Sequence, residues 1–184
     1  MRSAMQANGF QVGRLFFLLA GFLLTPSQGQ AADNLIFKGN LVAEACTLRP
    51  GDEALAVEMG EVSSRDLYTN TRTVGRLFEI HLEDCDSSTA DSVTTTFSGV
   101  ENIELPGLLA LDGGSVAKGI AIGLETPADQ PLPLNVVSDE QALSDGHNVI
   151  AFKAYIRGEP QALADQSISA GVFSAISTFT LDYP

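Results

Sequence analysis

Apolar and polar residues alternate along most of the chain beyond residue 33. Leu35, Phe37, Gly39 and Leu41 share one face of an extended segment, with Lys38 and Asn40 on the other. Leu55, Val57 and Met59 alternate with Ala56 and Glu58. Phe78, Ile80 and Leu82 oppose Glu79, His81 and Glu83. Ser92–Val100 is rich in Thr and Val around Phe97, Ile120, Ile122 and Leu124 alternate again, Asn148–Ile156 is a further apolar run, and Val172–Tyr183 is the longest alternation. A period of two is what a strand with one buried face requires. Turn residues separate the runs at Pro50-Gly51-Asp52, Pro106-Gly107, Asp112-Gly113-Gly114, Pro127 to Pro133, Asp145-Gly146 and Gly158-Glu159-Pro160. No run of 12 or more residues has helical spacing, and Gln161–Gln166 fits a single turn. Seven or eight strands divided by turns predict an all-β antiparallel sandwich.

The first 31 residues have a different pattern. Arg2 and Arg14 precede Leu15–Leu24, an uncharged apolar run, and Thr25-Pro26-Ser27 ends it ahead of Gly29-Gln30-Ala31-Ala32. That is the layout of a secretory signal peptide, residues 1–31, with cleavage after Ala31 expected. The run is half the length of about 20 residues that a membrane span needs, so no direct membrane insertion is expected. Export puts Cys46 and Cys85, the only two cysteines, in an oxidising compartment, where a bridge between them is expected.

Charge narrows the functions. The chain has 184 residues, 10 Lys+Arg against 23 Asp+Glu and a net charge of −13. Removing residues 1–31 takes away two Arg and no acid, so the exported part is more acidic still. Nucleic acid and anionic membrane surfaces need a basic face and are excluded as main partners. With no Trp and three Tyr, few residues are at hand for stacking on sugars or bases.

Candidate chemistry is sparse. Glu79, His81 and Glu83 share a strand face, a spacing that could offer three metal ligands, but solvent-facing polar alternation explains the same residues without a metal. Asp84, Asp86 and Asp91 lack the spacing of a calcium loop. Asp112-Gly113-Gly114-Ser115 lacks the ending of a phosphate loop, and there is no GxSxG around a nucleophilic Ser. No catalytic residue, metal or cofactor is expected.

Four segments in order resemble the pilin subunits of chaperone–usher fimbriae, of the type 1 and P-pilus kind. They are Asn34-Leu35-Ile36-Phe37-Lys38-Gly39-Asn40-Leu41-Val42 leading to Cys46; Phe78-Glu79-Ile80-His81-Leu82-Glu83-Asp84-Cys85; Gly119-Ile120-Ala121-Ile122-Gly123-Leu124; and the tail Gly171-Val172-Phe173-Ser174-Ala175 with Phe179, Leu181 and penultimate Tyr183. The resemblance implies an incomplete immunoglobulin-like sandwich over residues 46–184 that lacks its final strand, preceded by a donor-strand extension over 32–45. Leu35, Phe37, Gly39 and Leu41 would be the donor face. Phe173, Ala175, Phe179, Leu181, Tyr183 and Pro184 would line the acceptor groove and the chaperone contact. The implied partners are a periplasmic pilus chaperone, an outer-membrane usher and neighbouring pilins, on a route through the periplasm to the cell surface. Ser64-Arg65-Asp66-Leu67-Tyr68, Leu82-Glu83-Asp84-Cys85 and Leu105-Pro106-Gly107 look most like a minor adaptor subunit of P-type pili, with a rod or terminating subunit as the alternatives. Outside this family, the same pattern suits a self-contained secreted sandwich that binds a ligand. Such a domain has no need of a free apolar arm.

Overall fold

The computed structural model describes residues 44–184. The expected strand at Leu35–Leu41, and with it the signal peptide, lies outside these residues. Seven strands are described: β1 (Thr47–Leu48), β2 (Arg76–Cys85), β3 (Ser92–Gly99), β4 (Ile120–Glu125), β5 (Gln141–Ala142), β6 (Gly146–Gly158) and β7 (Ser177–Asp182). They form a four-stranded sheet ordered β1-β2-β6-β4 and a three-stranded sheet ordered β5-β3-β7, with every pairing antiparallel.

The alternation read from sequence sets the faces. Ile80 and Leu82 of β2 and Ile150 and Phe152 of β6 point between the sheets and are buried, as are Val93 and Phe97 of β3. Phe97 meets Phe152 edge-on at 5.0 Å between ring centroids, and Phe78 flanks both at 6.2 and 5.9 Å. Edge-on contact sets the positive rim of one ring against the negative face of the next. The Cys46–Cys85 disulfide is formed and ties the lead-in of β1 to the end of β2. The β2–β6 register shifts between Leu82 and Cys85, where Asp84 takes a left-handed conformation with φ 51°.

Two short α-helices and a 3-10 turn (Asp52–Ala54) complete the described residues. In α1 (Ser64–Asn70), the Ser63 hydroxyl accepts from the Arg65 N–H at 3.2 Å and Leu67 alone is buried. In α2 (Pro160–Ala164), Pro160 occupies the first turn, where its missing N–H costs nothing. The expected turn at Gln161–Gln166 is therefore present, one residue early. α1 has a single buried apolar position in seven residues, so no helical period was visible.

Two strand expectations are corrected. Leu55–Met59 forms no strand. Val57 and Met59 face the core as the alternation requires, yet the segment has no ladder partner among the described residues. Val172–Tyr183 is a strand only from Ser177 to Asp182. Upstream, the Val172 carbonyl accepts from Val116 N–H and the Ser174 carbonyl from Asp112 N–H, so this stretch follows the 112–117 loop instead of β3.

Candidate functional site

The edges of the two sheets differ in how their backbone groups are satisfied. At β4 the edge is closed: Leu109 and Ile122 exchange N–H···O bonds of 2.8 and 3.0 Å, and Leu132 N–H donates to the Leu124 carbonyl at 2.9 Å. All six β4 residues are buried. At β2 the outer edge is paired by β1 for two residues, then Arg49 N–H donates to the His81 carbonyl at 3.0 Å. His81 N–H donates to the Asp52 carboxylate at 2.7 Å.

At β7 the edge is open. One side pairs with β3 over six residues, from Thr94 opposite Asp182 to Gly99 opposite Ser177. On the other side no strand pairs with it among the described residues. An unpaired strand edge is a template for another strand.

The side chains repeat the message. Phe173, Ala175, Ser177, Phe179, Leu181 and Tyr183 all point inward and are all only half-buried, while the residues between them are exposed. The five other than Ser177 pack against the core without being enclosed by it. Val57, Met59 and Val62 form a second half-buried apolar row on the same core, in the extended segment that lacks a ladder partner. Two apolar rows are thus incompletely covered, and the outer edge of β7 has no partner among the described residues. Val57 and Met59 carried a visible strand pattern in the sequence, but nothing there marked them as part of a site; Leu55, in the same pattern, is exposed.

Tyr183 and Pro184 end the chain beside this row. Burial raises the Tyr183 phenol above its usual value, helped by the charge of Glu44. Pro184 is exposed. The expected donor residues Leu35, Phe37, Gly39 and Leu41 lie outside the described residues.

Two polar clusters hold the frame. Asp52 is 2 % exposed and accepts from Arg49 Nη2 at 3.0 Å and from His81 N–H at 2.7 Å, with His81 Nδ1 at 2.9 Å. Burial alone would raise its carboxyl, but the His81 and Arg49 contacts outweigh that and hold it below the usual carboxylate value. His81 is thus a clamp on the turn before Leu55, and not part of a freely solvated face; sequence showed Asp52 only as a turn residue. On the outer face of the larger sheet, Glu125 is fully buried and receives both Arg72 Nη2 contacts at 2.9 and 2.8 Å. The Arg72 guanidinium stacks 3.7 Å from the Tyr155 ring centre. Gly123 makes room for that ring, since a Cβ there would overlap it. Among the described residues no three His, Cys, Asp or Glu side chains converge where a metal could sit.

The family model described as "Fimbrial protein" matches residues 35–184. The chain belongs to the fimbrial protein family. It is 34% identical over 167 residues to the major MR/P fimbria protein of Proteus mirabilis, covering 90% of this chain and 91% of that one. To the fimbrial adapter PapK of Escherichia coli it is 30% identical over 164 residues, covering 85% and 92%. The crystal structure of the P pilus rod subunit PapA shares the fold at a TM-score of 0.64 and 22% identity, covering 77% of this pilin and all of that chain. The pilin is a structural subunit of chaperone–usher pili, of the kind that assembles with neighbouring pilins, and its sandwich is the immunoglobulin-like one of its relatives. Both major and adapter subunits stand among those relatives.

Proposed function

We propose that this pilin is completed in trans. A strand from another polypeptide enters beside β7, bonds its open edge and covers Phe173, Ala175, Phe179, Leu181 and Tyr183 on one side and Val57, Met59 and Val62 on the other. The carrying observation is the half-buried apolar row on a strand whose outer edge has no partner. In the fibre the entering strand is the 32–45 extension of a neighbouring subunit. This chain's own extension, with Leu35, Phe37, Gly39 and Leu41 as its inward face, serves the next groove in turn. Each buried Leu or Phe contributes about 1.5–3 kcal/mol, and Gly39 lets the two backbones approach closely at one point. Before assembly a periplasmic chaperone lends the strand and holds the chain's C-terminal end at Tyr183 and Pro184, and an outer-membrane usher exchanges it for the neighbour's arm at the cell surface. This is strand addition to a sheet edge.

The test is a melt of the oxidised chain lacking residues 1–45, alone and with a peptide of residues 33–45 or the arms of co-expressed pilins. A low, broad transition that sharpens and rises by tens of degrees with one peptide supports the reading. A sharp transition that no peptide moves sinks it in favour of a self-contained domain. The position in the fibre follows from which arm fits: rescue by its own arm makes a rod subunit, and rescue only by a different pilin's arm makes an adaptor that joins unlike segments.

A further inference from the structure

His81 and His147 are the only two histidines of the chain. The β2–β6 register brings them together on the outer face of the larger sheet, with ring centres 5.9 Å apart and ring planes inclined by 33°. Each ring is held through Nδ1 by a carboxylate. Asp52 Oδ2 lies 2.9 Å from that atom of His81, and Glu83 Oε1 lies 3.2 Å from that of His147. An ionised carboxylate only accepts hydrogen bonds, so Nδ1 carries the proton and the neutral ring keeps its lone pair on Nε2. Beside the His81 Nε2, at 3.6 Å, stands Glu79 Oε2. The His81 ring is mostly covered, but it lines an open depression with Arg49, Glu58, Arg76 and Glu79, through which a solute reaches it.

We infer that His81, His147 and Glu79 form a binding site for a divalent transition-metal ion of the Zn2+ class. With Zn–N bonds of about 2.0–2.1 Å, two imidazoles on one ion have their centres roughly 5–6 Å apart, and a ligating oxygen stands roughly 3.3 Å from a ligating nitrogen. The His81–His147 and His81–Glu79 spacings are close to these values. Three ligand groups do not converge among the described residues as their side chains stand. The movement that closes the set falls on His147, whose side chain is 51% exposed and has open solvent to turn through. Water takes the fourth position. A carboxylate on the second nitrogen of a ligating imidazole fixes its tautomer and raises its basicity, and both rings have one. Charge agrees, since the carboxylates of Asp52, Glu79 and Glu83 outnumber the Arg49 guanidinium paired with Asp52. Ring nitrogens select Zn2+, Cu2+ or Ni2+ over Ca2+ and Mg2+, which take oxygen ligands. Bound there, the ion links β2 to β6 and, through Asp52, to the turn ahead of Leu55. In the sequence His147 shows only as the neighbour of a turn signal; it is the ligand that the fold adds.

The test uses the oxidised, untagged exported chain, whose two histidines give two imidazole signals by NMR. Zn2+ is added in a non-chelating buffer at neutral pH. The expected result is that both signals shift together and saturate at one ion per chain, and that neither does so in urea, where the rings are no longer neighbours. Competition with a chromophoric chelator then ranks the variants, each first matched to the wild type by its urea unfolding curve. His147→Gln, at an exposed position, should weaken binding by at least about tenfold and Glu79→Gln by less. Glu58→Gln, in the same depression, should leave it unchanged. Excess Zn2+ should also raise the unfolding midpoint of the wild type and not that of His147→Gln. A shift of one histidine alone, or binding that survives His147→Gln, overturns the site. So does displacement of Zn2+ by millimolar Mg2+, which would mean an ion held by the acidic surface at large. No shift of either signal in excess Zn2+ overturns it outright.

Discussion

Phe179 stands directly opposite Phe97 across the β3–β7 ladder, yet Phe97 is 5% exposed and Phe179 is only half-buried. The partners belong to neighbouring strands and the same face, so the difference comes from what lies beyond each. Phe97 has β7 on one side, the 135–137 segment on the other, where Asn135 N–H donates to its carbonyl at 2.7 Å, and Phe152 beneath it. Phe179 is flanked on one side alone among the described residues. Phe179→Ala is therefore expected to cost about 3–5 kcal/mol in the strand-completed protein, the range for a buried Phe. The loss in the uncompleted chain should be markedly less. Urea unfolding with and without the rescuing peptide measures both, and equal losses would contradict the assignment of Phe179 to the groove.

Arg72 and Glu125 are unequal partners. The Arg72 side chain is 35% exposed and that of Glu125 not at all. Removing the guanidinium leaves a buried carboxylate with no cation, whereas removing the carboxylate leaves an arginine still in contact with water. Arg72→Met should destabilise by about 3–5 kcal/mol and Glu125→Gln by less, with the double variant milder than the sum. A double-mutant cycle in urea decides this; equal single losses would mean that Glu125 finds another partner.

Thr95 is 1% exposed, and its hydroxyl has no hydrogen-bond partner among the described residues. An unmade hydrogen bond of this kind costs about 1–3 kcal/mol. Thr95→Val keeps the shape and is expected to raise stability by about 1 kcal/mol. A lowered melting temperature would show that the hydroxyl is bonded after all.

Asp52 fixes the acid limb of stability. Its carboxyl is depressed below the ordinary value near 3.8 in the fold, so the folded state binds that proton more weakly than the unfolded chain does. The stability it lends is complete above the unfolded value and is lost as pH falls below about 4 through the folded value. Asp52→Asn should lower stability at neutral pH and flatten the decline between pH 4 and 2. Unfolding midpoints over that range test it, and an unchanged slope would assign the acid sensitivity to other carboxylates.

How far the fold was legible depended on whether a residue's partner could be inferred from pattern. β2, β3, β4 and β6 were visible because their inward residues alternate and are buried by the opposite sheet. Leu55–Met59 had the same alternation but no ladder, since periodicity reports which face is apolar and says nothing of whether a neighbour is present. The tail row Phe173 to Tyr183 is assigned to a groove only through family resemblance; in the structure its residues are half-buried. Asp52 and the Arg72–Glu125 pair were invisible because their contacts span 29 and 53 residues of chain. No local signal encodes a bond of that length.

The inward row of β7 repeats at every second residue, so under the proposed completion it is a ruler as well as a socket. In that completion, an arm entering one residue out of step would turn Leu35, Phe37 and Leu41 to water and point Lys38 and Asn40 at the row. A step of two would restore the facing but set Gly39 where the proposed arm has Phe37. Misplaced neighbours are thus rejected all together instead of one contact at a time, so a filament joined this way carries its own proofreading at every link.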